Sequence, residues 1–260
     1  MSAEFEPEVD LCEAEETIAA HIALREALIP DARAWLYRSE GMIASASEIA
    51  CTTANSIHVH AAAADSAALT SLIAEFSERG RPFTLNIRGR LAERFAPIAI
   101  EAGLSHLTDL PMMTVRPDAF RPAACPEDLR LRLLAPEEAP IHLDLVADGL
   151  DLSREGLARV MSPANRALPA WATYVGEAEG KLAVTGTSVA GPHGTGLICI
   201  ATNPRFARRG FGGALTSVAI ADAFARGAPR VLLHSSPQGF ALYRRLGFRI
   251  VEHLSVFGPE

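Results

Sequence analysis

The chain has 260 residues, 49% of them hydrophobic, with 24 Lys and Arg against 31 Asp and Glu and a formal net charge of −7. This composition fits a soluble globular protein of one large or two ordinary domains. No apolar run is long enough to span a bilayer, the N-terminus is acidic and unlike a secretory signal, and Cys12, Cys51, Cys125 and Cys199 are scattered without a Cys-x-x-Cys pair, which argues for a reducing cytoplasm and against a structural zinc site.

Taken in order, residues 11–29 have helical periodicity with carboxylates and alanines, and Pro30 ends them. Strands are expected at 42–46 and 56–60. Asp65 is a suitable N-cap for a helix over 66–79 that stops at Gly80. A strand at 83–87, a helix at 91–101 and an extended stretch at 104–115, broken near Pro111, complete the first half. Three prolines and little periodicity mark 116–128 as a boundary. The division expected is 1–120 and 126–260.

Beyond it, 129–133 alternates like a strand, 136–149 and 153–161 read as helices, and strands at 171–176 and 182–188 bracket a hairpin signal, Glu177-Ala-Glu-Gly-Lys181. Residues 191–196 read as a turn into an apolar strand at 197–202. Asn203 and Pro204 end that strand, and Arg208-Arg209-Gly210-Phe211-Gly212-Gly213 leads into a helix starting at Ala214. Strand, arginine-glycine turn, helix is an arrangement that holds a phosphate. Glycines let the backbone approach the anion, and the turn's N–H groups and the helix dipole face it. No Gly-Lys-Ser/Thr follows, so it is not a Walker loop, and the dinucleotide spacing Gly-x-Gly-x-x-Gly is absent.

The two halves echo each other. Ala68-Leu-Thr-Ser and Ala214-Leu-Thr-Ser begin similar helices, each ending in a glycine (Gly80, Gly227), then a strand, a helix and a further strand. The first copy has Ala-Ala-Ala-Ala-Asp-Ser where the second has the glycine turn, so it reads as a degenerate copy without a phosphate site. Charge is also uneven. Residues 1–125 hold 10 basic and 18 acidic groups, whereas residues 205–249 hold eight arginines and the single carboxylate Asp222. The acidic whole argues against a nucleic-acid partner and for a small polyphosphate.

The segment from Pro204 to Leu215 resembles the acetyl-coenzyme A signature of the GNAT superfamily of N-acetyltransferases, Gln/Arg-x-x-Gly-x-Gly/Ala, with Gly210 and Gly212 at the small positions. The leading Gln/Arg falls on Ala207, which leaves Arg208 and Arg209 to supply charge. Leu242-Tyr243-Arg-Arg-Leu-Gly-Phe248 is similar to that family's second signature, and the element order over 129–257 resembles the GNAT fold, an α/β fold with a mixed sheet, here in two tandem GNAT-like domains.

The resemblance implies acetyl-CoA as cosubstrate, no metal, and an acetyl group moved directly to a primary amine of a small-molecule or peptide acceptor. Ile200, Ala201 and Thr202 would hold the pantetheine through main-chain groups, and the same strand would stabilise the oxyanion. Arg208, Arg209, Gly210, Phe211, Gly212, Gly213 and Ala214 would bind the phosphates, with Ser236 and Gly239 along the pantetheine arm. Tyr243 would protonate the departing thiolate. No strand carboxylate is available as base, so His234 is the candidate base or proton relay.

Asp144, Asp148 and Asp151 read as a solvated helix face rather than an acceptor pocket, and Cys199 as inert in an apolar strand. His58 and His60 share a strand face, yet no third metal ligand is evident. No membrane or nucleic-acid partner is expected, and a monomer and a homodimer are equally compatible. The alternative reading is a non-catalytic acyl-CoA-binding sensor or pseudoenzyme, to which Ala207 and the missing carboxylate point.

Overall fold

The computed structural model describes residues 11–28, 35–48, 52, 55–135, 138–150 and 154–259. The N-terminal half runs α1 (Leu11–Ala27), β1 (Trp35–Arg38), β2 (Met42–Ala46), β3 (Ser56–Val59), α2 (Ser66–Glu78), β4 (Thr84–Arg88), α3 (Ala92–Glu101) and β5 (Ser105–Val115). The C-terminal half runs β6 (Arg130–Leu133), α4 (Ala139–Leu150), α5 (Arg154–Val160), α6 (Pro163–Arg166), β7 (Trp171–Ala178), β8 (Lys181–Gly191), β9 (Gly194–Thr202), α7 (Phe211–Ala225), β10 (Val231–His234), α8 (Pro237–Arg245) and β11 (Arg249–Gly258).

Local signals account for the elements that position the site. Asp65 caps α2 through the N–H of Ala68, 2.7 Å away. Glu179 and Gly180, with φ of 54° and 70°, make the tight turn between β7 and β8. Two expectations fail. Gly194 to Gly196 belong to β9 rather than to a turn, because a hairpin from Gly191 to Gly194 supplies the reversal. Pro111 does not break β5. Its carbonyl faces β10, which has already ended at His234, and accepts from the N–H of Ser235 at 3.0 Å, so the missing proline N–H removes no ladder bond.

Among the described residues all eleven strands form one sheet in the order β1-β2-β3-β4-β11-β5-β10-β9-β8-β7-β6. The halves trade their last strands: β11 pairs with β4, and β5 pairs with β10. β5 and β11 pair with each other antiparallel at the centre. The pattern around them is symmetric, with β3 parallel to β4 on one side and β9 parallel to β10 on the other. Among the described residues five buried apolar clusters result, of which two are large. One surrounds Phe76, Phe83 and Phe95 beside β2 to β4, and the other surrounds Phe206, Phe211 and Phe248 under α7 and α8.

Opposite charges hold α1 across the middle of this sheet. Glu13 pairs with Arg249, Glu16 with Arg230 and Arg116, and Glu15 with Arg88 at 2.7 Å. The acidic N-terminal half and the arginine-rich C-terminal stretch thus satisfy each other across the strand exchange.

The repeat places Gly103 and Gly247 equivalently, each at positive φ after its helix. A Cβ on Gly103 would meet nothing within 4 Å, whereas one on Gly247 would lie 2.0 Å from the Ala119 carbonyl oxygen. Gly103→Ala should therefore cost about 1 kcal/mol and Gly247→Ala at least about 3 kcal/mol. Denaturant midpoints would check this, and equal losses would contradict it.

Candidate functional site

β9 and β10 begin as parallel neighbours but stay together only at Val231 with Thr195 and Leu232 with Gly196. From Leu197 to Thr202, β9 keeps β8 alone, so one edge of its backbone has no strand beside it. Their counterparts β3 and β4 remain paired along all four residues of β3. A bulge helps part β9 from β10. Ile198 faces Thr187 and Ala201 faces Thr185, with Cys199 at φ 54° in the extra position. A Cβ on Gly186 would lie 3.1 Å from Ile200, so glycine lets the bulged strand sit down on β8.

The glycine turn stands at the end of this open edge. Gly210, at φ 85°, is the N-cap of α7, and Arg208 has φ 63°. These left-handed residues turn the chain sharply after the short 3₁₀ helix at Pro204–Phe206. Among the described residues, no acceptor meets the N–H groups of residues 208–210, and those of Phe211, Gly212 and Gly213 are the open donors of the helix's first turn. Gly212 lies close to Thr202, a Cβ there falling 3.3 Å from its hydroxyl oxygen, so the turn abuts the end of β9. Phe211 and Ala214 point into the core. Their contribution at the surface is main-chain. This set of donors with a helix dipole behind them suits a polyphosphate.

The two arginines differ. Arg209 is engaged: it donates to Glu179 at 2.7 Å, pairs with Asp128, and lies over the rings of Phe206 and Phe211. It braces the turn against the β7–β8 hairpin, where Arg205 also reaches Glu179 at 2.8 Å. Those cations hold the Glu179 carboxyl below the usual range. Arg208 is exposed, with no ion pair among the described residues.

α8 packs on the first turn of α7 through Leu242, which a Cβ on Gly213 would approach to 3.2 Å. The next residue, Tyr243, is 8% exposed and stands edge-on to Phe248 with ring centroids 5.7 Å apart. Gly239 makes room for its ring, since a Cβ there would lie 2.6 Å from it. Burial pushes the phenol up to about 12, so it holds its proton throughout the neutral range. Ser236 caps α8 by accepting from the N–H of Gly239 at 3.2 Å, leaving its hydroxyl proton available.

His234 lies elsewhere. Leu233 joins the core that contains Tyr243, so His234, its neighbour along β10, faces the opposite side of the sheet. There it meets His21 of α1, edge-on at 4.8 Å between ring centroids. Burial lowers His234 to about 4, and Arg25 adds to the shift, so the imidazole is neutral. His58 is in the same cluster rather than paired with His60 toward a metal, and no group able to hold a metal ion occurs among the described residues.

Cys199 is pushed up to about 12 by burial, as expected of an inert thiol. Asp144 pairs with Arg154 at the surface, Asp148 is exposed, and Asp151 lies outside the described residues. Sequence reasoning missed His21, Arg25 and Ser56. The signal available for His21 was its place between Ile18 and Leu24 on the buried stripe of α1.

Residues 151–248 match the acetyltransferase (GNAT) family. No curated protein sequence is detectably similar to the chain. Its fold is that of a GCN5-related N-acetyltransferase from Kribbella flavida, with a TM-score of 0.73 at 18% identity, covering 94% of this chain and 95% of that one. A GCN5-related N-acetyltransferase from Sphaerobacter thermophilus gives 0.62 at 15% identity, over 85% and 76%. A tandem GNAT protein from the clavulanic acid biosynthesis pathway gives 0.59 at 14% identity, over 87% and 82%.

Proposed function

We propose that this chain, with a GNAT acetyltransferase segment at residues 151–248 on a GNAT fold, is a cytoplasmic N-acetyltransferase that moves an acetyl group from acetyl-CoA to a primary amine. The observation that carries the reading is the pairing of an open strand edge, Leu197 to Thr202, with the unsatisfied N–H groups of residues 208–213. The turn would take the pyrophosphate, with Arg208, which has no ion pair among the described residues, supplying a cation. Ile200, Ala201 and Thr202 would hold the pantetheine as a neighbouring strand would, with Ser236 along the arm. The N-terminal half, where β3 and β4 stay paired and Asp65 occupies the helix start, is read as a degenerate copy that completes the acceptor side.

In the transfer, the amine forms a C–N bond to the thioester carbonyl carbon as the C–S bond breaks. Main-chain N–H groups of β9 stabilise the oxyanion. Tyr243 gives its proton to the leaving sulfur, and the proton lost by the amine departs on the His234 side of the sheet. The two faces thus divide acid from base.

Calorimetric titration with acetyl-CoA tests the binding half. The wild-type protein should bind, and the double variant Gly210→Val, Gly212→Val should bind at least about 30-fold more weakly, because a side chain at φ 85° and one against Thr202 displace the donors. No binding by the wild type would overturn the reading. Binding without transfer to any amine would favour an acyl-CoA sensor, for which the missing cation at Ala207 is the supporting observation.

A further inference from the structure

A buried line of polar side chains runs from the C-terminal half into the N-terminal half beneath α1. It starts at His234, whose Nε2 is buried without a partner among the described residues. The adjoining His21 is 1% exposed, and its Nδ1 is likewise buried and unpartnered. Behind it, His21 Nε2 lies 3.3 Å from His58 Nδ1, and His58 Nε2 lies 3.1 Å from Ser56 Oγ. Arg25 donates to the same Ser56 oxygen at 2.8 Å.

Each contact between two ring nitrogens needs one hydrogen and one lone pair. Two arrangements meet that requirement. In the first, His58 Nε2–H donates to Ser56, His21 Nε2–H donates to His58 Nδ1, and His21 Nδ1 is left with a bare lone pair. In the second, the Ser56 hydroxyl donates to His58, His58 Nδ1–H donates to His21, and His21 Nδ1 carries the hydrogen. One shift of hydrogens along the line converts the first into the second. A proton enters at His21 Nδ1, one crosses from His21 to His58, one crosses from His58 to Ser56, and the former hydroxyl proton of Ser56 passes to water; the reverse shift, in which His21 Nδ1 gives its proton to the water that replaces the departed product and Ser56 regains one, restores the first arrangement. The guanidinium of Arg25 disfavours a charge resting on the line, which suits passage rather than storage.

A packed core needs none of this, since apolar side chains would fill the space without leaving two polar nitrogens unsatisfied. We propose that the nitrogen of the acceptor amine is the missing partner of His234 Nε2 and His21 Nδ1, and that His21, with His58 and Ser56 behind it, carries away the proton that nitrogen loses. The N-terminal half would then contribute directly to the chemistry. His21 and His234 would touch the substrate, and His58 and Ser56 act through His21. The inference rests on the transferase reading above.

The test joins a readout that needs no acceptor to one that does. Side-chain ¹⁵N resonances of the free protein near pH 7 should show His21 neutral with its hydrogen on Nε2. Thiol release from acetyl-CoA is then followed with n-butylamine, spermidine and glycinamide. His58→Gln should lower kcat at least about tenfold and Ser56→Ala about threefold, with the KM for acetyl-CoA little changed and both variants folded at the assay temperature. A hydrogen on His21 Nδ1 in the free protein, or an undiminished kcat in both folded variants, overturns the relay while leaving the transferase reading standing. Failure of the wild-type protein to bind acetyl-CoA, or to release thiol with any amine, overturns that reading and the relay with it.

Discussion

Tyr243→Phe should retain the affinity for acetyl-CoA within about twofold and lose kcat by roughly 10²-fold. The hydroxyl is the sole difference between the two side chains, and the ring's packing against Gly239 and Phe248 is indifferent to it. The residue is buried enough to keep the phenol protonated well above neutrality. It can therefore be present as an acid at every pH where the amine is reactive. Removing it forces the thiolate to leave unprotonated. Steady-state thiol release together with calorimetry would check both halves. An unchanged kcat would remove Tyr243 from the chemistry and leave it as a core side chain of α8.

Acid should destabilise this protein earlier than ion-pair loss alone would suggest. His234 and His142 are each held near 4 in the folded chain, against an ordinary histidine value of 6.5, chiefly through burial. His21 and His58 are lowered well below that value chiefly by burial, with repulsion from His234 and Arg25 adding to it. A histidine with a depressed folded value binds its proton more readily in the unfolded chain, so stability is lost as pH falls from about 6.5 toward about 4. Between pH 7 and pH 5 the loss is about 2 kcal/mol each for His234 and His142. That is a large share of the stability of an ordinary domain. Urea melts at pH 7, 6 and 5 would reveal it as a steep fall in midpoint. A flat profile over that interval would mean that the imidazoles are protonated, or solvated, in the folded state.

Below about pH 4.5, the carboxylates of Glu15 and Glu16, held low by Arg88 and Arg230, add a second loss of the same sign. Those pairs anchor α1. Protonating them should therefore loosen the helix that carries His21.

What could be read along the chain was whatever nearest neighbours decide. Glycine at positive φ fixed the place of the turn at Gly210. Asp65 announced the start of α2, and Glu179-Gly180 announced a hairpin. The echo between 68–80 and 214–227 foretold two similarly ordered halves, and the parallel placement of β3–β4 and β9–β10 agrees with it. These features depend on φ preferences, caps and periodicity over a few residues, so the sequence by itself determined them.

Tertiary structure decided the rest. That β5 and β11 cross into opposite halves depends on pairing between residues more than a hundred positions apart, where apolar alternation is equally satisfied by either neighbour. Arg209 and Arg208 look alike in sequence, and only the approach of Glu179 and Asp128 engages one and leaves the other free. His21 belongs to an N-terminal helix whose own periodicity cannot say which sheet it will cover. It comes beside His58 and His234 because Glu13 and Glu16 find Arg249 and Arg230 across the exchanged strands. Electrostatic pairing and burial act between whatever surfaces the topology brings together, and no local stretch of chain contains that information.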